Sequence, residues 1–269
     1  MSSLEERFNR GLEMRETMAA GDFRHFTLPG IDQLAPDLKR IVDEALFGSI
    51  WIRDELNLKQ RCLCTLSALL TLGHLHLLRR HVERALNVGM SPEEVVEIFI
   101  QMTFYAGVPA VESAMSIAKE IFEERGIQLE PTRVYDTSLD ADELHRKGIA
   151  VHEAHMGDIT IYYTDDPNTP EMYLERLINE YNWGAIFSRP YLDAKDRAMC
   201  ALVAMTVMGH YDRQLRRRIS GCLRVGMTPA EIMEVFIQLT LYGGYFNTRT
   251  AMRIARSVFN EEGVDSPAS

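Results

Sequence analysis

Apolar residues recur along this chain at helical rather than alternating spacing. Val95, Ile98, Phe99, Met102 and Ala106 fall on one helix face. Ser91-Pro92-Glu93-Glu94 before them reads as a helix start. Ser can cap, Pro fits the first turn, and a Glu three residues after the cap can accept from the cap's backbone N–H. Thr228-Pro229-Ala230-Glu231 repeats the pattern, and Asn57–Gln60 and Asp193–Asp196 read as further starts. Cys62 to Leu72 and Ala198 to Met208 are apolar on nearly all sides, which predicts two helices at the centre of a bundle. Gly73, Gly89, Gly126, Gly209, Gly226 and Gly263 stand where helices would stop. Thr160 to Tyr163 is the one short β-like run, so the pattern predicts an all-α protein.

The chain is also written twice. The segment from Gly89 to Lys119 matches Gly226 to Arg256 at 15 of 31 positions, an offset of 137. Gly48-Ser-Ile-Trp-Ile-Arg53 matches Gly184-Ala-Ile-Phe-Ser-Arg189 at an offset of 136, and Gly11 and Gly148 suggest where each copy begins. A period this long is no solenoid repeat. It predicts two fused copies, 1–128 and 145–269, joined by a linker over 129–144 that holds Pro131 and several acidic and polar residues.

Composition narrows the function classes. Among 269 residues, 39 are acidic and 29 basic, a formal net charge of -10, which argues against a nucleic-acid binder. No apolar run reaches the ~18 residues of a membrane span, and Met1 to Arg15 lacks the apolar core of a signal peptide. Four cysteines in a chain of this length form no disulfide framework. A cytoplasmic protein without membrane or nucleic-acid partners is the expectation.

The repeated motifs resemble the carboxymuconolactone decarboxylase family, which shares an all-α fold with the alkyl-hydroperoxidase D proteins. The family segment W-G-x-x-W-S-R-P-x-L-D is seen as Trp183-Gly-Ala-Ile-Phe-Ser-Arg-Pro-Tyr-Leu-Asp193, and more loosely as Phe47-Gly-Ser-Ile-Trp-Ile-Arg53. An apolar helix ending in Leu72-Gly73 and followed by His81 matches next. Val88-Gly-Met-Ser-Pro-Glu-Glu94 and Tyr105-Ala-Gly-Val-Pro109 complete the order. The resemblance implies two fused alkyl-hydroperoxidase D-like helical repeats. It also implies a homo-oligomer, either a trimer of tandem repeats or a compact pseudo-dimer.

The residues separate the branches of that superfamily. The thiol-peroxidase branch needs C-x-x-C with a His four residues after the second Cys. Counting back from His81, those places hold His74 and Leu77, so peroxidase chemistry is disfavoured. The decarboxylase branch implies a cofactor-independent lyase acting on a small acidic substrate, a carboxylated lactone or related cyclic acid. Such a site must hold a leaving carboxylate, stabilise an oxyanion and protonate carbon. Arg53 and Arg189 suit the anion, and His81 and His74 suit the proton. His74 and His81 are seven apart and would share a face of one continuous helix. Trp51, Tyr105, Trp183 and His210 are candidate substrate-binding residues.

Some positions depart from the family pattern. Leu77 stands where family decarboxylases usually carry Glu, Arg218 aligns with His81, and Phe246 replaces the Pro of the last motif. One copy without its own site, or a composite pocket across the copies, are both compatible with this. His152-Glu-Ala-His155 lacks the H-E-x-x-H zinc spacing and no third ligand is obvious, so no metal is expected. Arg216-Arg217-Arg218 reads as a solvated helix face or as a holder for an anionic substrate tail. The same scaffold repurposed as a lactone hydrolase, isomerase or cyclase, or a non-catalytic ligand-binding or assembly protein, are the alternatives to the decarboxylase.

Overall fold

The computed structural model describes residues 3–21, 28–131 and 133–267, and every regular element among them is helical. The first copy runs through α1 (Leu4–Ala19), α2 (Pro29–Leu34), α3 (Pro36–Val42), a π-helical stretch Asp43–Ile50, α4 (Leu58–Thr71), α5 (Leu75–Asn87), α6 (Pro92–Gln101), α7 (Thr103–Ala106) and α8 (Val108–Glu124). The second repeats the plan with α9 (Ala141–Met156), α10 (Pro170–Leu177), a π-helical stretch Ile178–Phe187, α11 (Ala194–Met208), α12 (Asp212–Arg224), α13 (Pro229–Leu239) and α14 (Tyr245–Glu262). Because α9 opens at Ala141, residues 141–144 are helical and not part of the link. The β-like run is a 3-10 turn, Thr160–Tyr162. The Asp158 carboxylate fixes it by accepting from the Thr160 N–H at 2.9 Å and its hydroxyl at 2.6 Å.

The predicted caps form. Ser91 accepts from the Glu94 N–H at 3.2 Å, and Glu94 accepts from the Ser91 N–H at 2.6 Å. Thr228 with Glu231, and Asn57 with Gln60, make the same reciprocal box. These starts aim α4 and α11 through the middle of the molecule, where residues 61–70 and 197–204 are buried without a break. The two helices pack on each other, so one apolar core runs through both copies. All four cysteines are buried in it and free. Burial pushes the thiols of Cys62, Cys200 and Cys222 up to about 12, which rules out a ready thiolate at neutral pH.

Two charged clamps cross that core. Glu234 on α13 is buried, and it accepts from Arg53 Nε at 2.8 Å and Arg61 Nη2 at 2.8 Å. Arg61 also donates to Gln238 Oε1 at 2.9 Å and to the Arg53 carbonyl at 2.6 Å. The mirror clamp places Glu97 on α6 between Arg189 Nε and Arg197 Nη2, each at 2.9 Å, with Arg197 reaching Gln101 Oε1 at 2.8 Å. Each clamp joins one copy's arginines to the other copy's carboxylate.

Removing one member of a buried pair leaves the other charge stranded, which costs ~3–5 kcal/mol. Glu234→Ala should therefore lower the unfolding free energy by that amount in urea titrations. Arg53→Ala, whose side chain is 40% exposed, should cost less than about half as much.

Candidate functional site

In each copy the first helix crosses the π-helical stretch at glycine. A Cβ on Gly148 would lie 1.7 Å from the Asn179 carbonyl oxygen, and one on Gly11 would lie 2.1 Å from that of Asp43. Only a residue without a side chain permits this approach. One turn further on, at i+4, α9 presents His152 and α1 presents Arg15. Both side chains are buried against their π-helical stretch. His152 Nδ1 pairs with Asn179 Oδ1 at 2.9 Å, and Arg15 forms an ion pair with Asp43.

Around His152 lies a cavity of about 210 Å³, whose lining includes Trp183, Asn182, Met156, Met205, Arg218 and, from the first copy, Tyr105. Its wall is a run of rings. His152 stacks on Trp183 with centroids 4.2 Å apart, Trp183 packs on Phe187 at 4.1 Å, and Tyr162 covers His152 at 5.8 Å. Burial is the largest influence on His152 and lowers its pKa to about 4, against the Asn179 hydrogen bond, which raises it. The ring is therefore neutral at pH 7. Arg218 is 3% exposed, its Cζ is 5.6 Å from the Trp183 ring centre, and its Nη2 meets the Tyr105 hydroxyl at 3.4 Å. Among the described residues its Nε and Nη1, both buried, have no hydrogen-bond partner. Arg218 thus leaves the solvated face of the Arg216–Arg218 run, while Arg216 pairs with Glu261 and Arg217 with Tyr162.

The equivalent place in the first copy holds different chemistry. His81 stands where the second copy has Arg218, and it is buried edge-on to Tyr242 of the second copy with centroids 5.8 Å apart. Trp51 Nε1 donates to the same Tyr242 hydroxyl at 3.2 Å. Arg15 and Arg84 lie 5.2 and 5.4 Å from the centre of the Phe47 ring. Burial pulls Arg84 down to about 10, which leaves it charged at neutral pH. Histidine and arginine have exchanged helices: Arg15 and His81 in one copy, His152 and Arg218 in the other. Arg84 occupies the place of Gly221.

The structure therefore brings together His81 with Trp51, and Tyr105 with Trp183. Arg53 and Arg189, expected at an anion site, instead hold the clamps on Glu234 and Glu97. The expectation that His74 shares a face with His81 fails because Gly73 breaks the helix. His74 caps α5 from an exposed turn, its ring edge-on to His76 at 6.1 Å. His210 is likewise exposed, in a cleft with Asp212 and Phe246 away from the aromatic wall. Arg15, Arg84 and Tyr242 are not among the expected site residues, Arg218 is expected only within a run read as a solvated face or a holder for an anionic substrate tail, and His152 only as a metal ligand. The Gly-to-His and Gly-to-Arg spacing of four, present in both copies, was the available signal.

With this geometry in place, the comparisons with known proteins are specific. The chain belongs to the carboxymuconolactone decarboxylase family, whose model matches residues 36–120 and again 173–257. It is 31% identical over 123 residues to the 4-carboxymuconolactone decarboxylase of Acinetobacter baylyi, covering 46% of this chain and 92% of that protein. It is 28% identical over 125 residues to the nitrosuccinic acid decarboxylase of Metarhizium robertsii, covering 45% of this chain and 87% of that one. A Burkholderia xenovorans LB400 crystal structure assigned as a gamma-carboxymuconolactone decarboxylase subunit shares the fold at a TM-score of 0.54 and 21% identity. That match covers 93% of this chain and 98% of the other. No helix among the described residues is long and apolar enough to cross a membrane.

A histidine held at about 4 when folded, against ~6.5 when unfolded, binds protons more readily in the unfolded chain. Its contribution is full above pH ~6.5 and is lost as the pH falls toward 4. Wild-type stability in urea should drop across that window, by up to ~3 kcal/mol from this group. His152→Gln should show a shallower drop.

Proposed function

We propose that this protein is a cofactor-independent decarboxylase of a small carboxylated lactone or related acid, with the chemistry at the first-copy cluster around His81. The carrying observation is the convergence on one aromatic floor of a buried His81, Tyr242 from the other copy, and the cations Arg15 and Arg84. Both named relatives are decarboxylases, which supports loss of CO2 as the reaction type.

In this reading the cationic side of the cluster draws in the anionic substrate. The bond from ring carbon to carboxylate breaks and CO2 leaves. Its electron pair spreads toward the lactone carbonyl, where positive charge stabilises the oxyanion in a water-poor setting. His81 delivers one proton to carbon and is reprotonated from solvent, so the reaction consumes one proton and needs no redox partner. Burial raises the Tyr242 hydroxyl above its ordinary range, so it stays a protonated, hydrogen-bonding group at the edge of His81. Leu77 stands at the place of the family's Glu, and the Tyr242 ring meets His81 edge-on.

The test is CO2 release from 4-carboxymuconolactone by the purified full chain. His81→Ala should lower kcat ~10²–10⁴-fold, the usual loss for a general acid. Tyr242→Phe should cost less, and mostly in kcat. Turnover unchanged in His81→Ala would remove this residue from the mechanism.

A further inference from the structure

The second-copy cavity holds a group that the chemistry at His81 does not use. Arg218 is 3% exposed and carries a charge, yet it has no carboxylate partner among the described residues. One of its nitrogens meets a tyrosine hydroxyl, while Nε and Nη1 are buried and have no hydrogen-bond partner among the described residues. These two nitrogens form the edge of the guanidinium fork that a carboxylate grips with both oxygens. A buried cation in this state is costly until an anion arrives.

The rest of the cavity defines the anion's body. Trp183, Met156, Ile178 and Met205 make the wall apolar, and Phe104, which is exposed, stands at the rim. Glu175 is the one carboxylate in the lining, and burial raises its pKa above the usual carboxylate range. The volume of about 210 Å³ suits a single-ring acid rather than a peptide or nucleotide. Gly221, where the first copy has Arg84, leaves Arg218 as the cation of this cavity.

We propose that this cavity is a binding site for a small apolar carboxylate, held by the Arg218 fork, and that it is separate from the His81 cluster. The binding claim stands alone; its separateness rests on placing the chemistry at His81.

The probe is trans-cinnamate, with uncharged cinnamamide as its match in shape. Calorimetry on the His81→Ala protein should give one cinnamate per chain, bound ~10–100-fold tighter than cinnamamide. In Trp51→Phe, where Trp183 is the remaining indole, cinnamate should change the emission. Arg218→Met should weaken cinnamate ~10–100-fold and leave cinnamamide unchanged. Phe104→Glu, at an exposed rim position, puts a like charge at the mouth. It should weaken cinnamate alone, even if Arg218→Met does not fold. Equal binding of acid and amide, a silent Trp183, or cinnamate affinity indifferent to both substitutions would overturn the site, even with His81-dependent turnover intact. Turnover lost in folded Arg218→Met but kept in His81→Ala would instead make this cavity the reaction site. That outcome would overturn both the separateness and the reading of His81.

Discussion

Two buried carboxylates, Glu97 and Glu234, govern how this molecule is put together. Each lies between two guanidinium groups that belong to the other copy. The interior around them is apolar, so the two carboxylates and the buried Arg61 and Arg197 do not tolerate separation. The geometry they impose is narrow, because both oxygens of each carboxylate accept from a guanidinium, and Arg61 and Arg197 each reach a glutamine as well. α4 and α11 are thereby held against each other, and the turn after each α6-type helix is carried across the divide. Tyr105 on α7 and Tyr242 on the turn after α13 lie there, so each copy's pocket takes a tyrosine from the other.

Within each copy a second constraint fixes the chemistry. Gly11 and Gly148 let a helix touch the carbonyls of a π-helical stretch, with no room for a side chain between them. The widened turn presents Phe47 and Trp51, or Trp183 and Phe187, as a pair of rings on one side. Polar groups arriving from the first helix and from α5 or α12 meet those rings in a place sheltered from water. Shelter makes the identity of each group decisive. His152 is driven neutral there, whereas Arg84 remains a cation despite the same burial.

Much of the fold was legible in the sequence because its signals are local. Ser91-Pro92-Glu93-Glu94 and its twin specify helix starts through bonds spanning three residues. The apolar run at Cys62 fits only a central helix. The site was less legible because its members come from four elements and two copies. Arg53 and Arg189 carry the right chemistry for an anion site, and nothing local distinguishes that role from a clamp. The distinguishing signal lay elsewhere, in Glu97 and Gln101 on the apolar face of α6, repeated as Glu234 and Gln238. Polar residues four apart on a core-facing helix require buried partners. His74 was misplaced because a face argument needs an unbroken helix, and Gly73 ends it. Arg218 was read with its charged neighbours, although one residue of a helical run points 100° away from the next.

The exchange of histidine and arginine between the two pockets is possible only because the copies share one chain. In a ring of identical single-copy subunits, every substitution is written into every site at once. A change that spoils one pocket then spoils them all. Here the clamps preserve the paired architecture while each half accepts its own substitutions. Arg84 and Gly221 occupy matching places, one a buried cation beside Phe47 and the other a close contact with α9 at His155 and Met156. The chain thus keeps the mechanical symmetry of an assembly of equals while giving up its chemical symmetry.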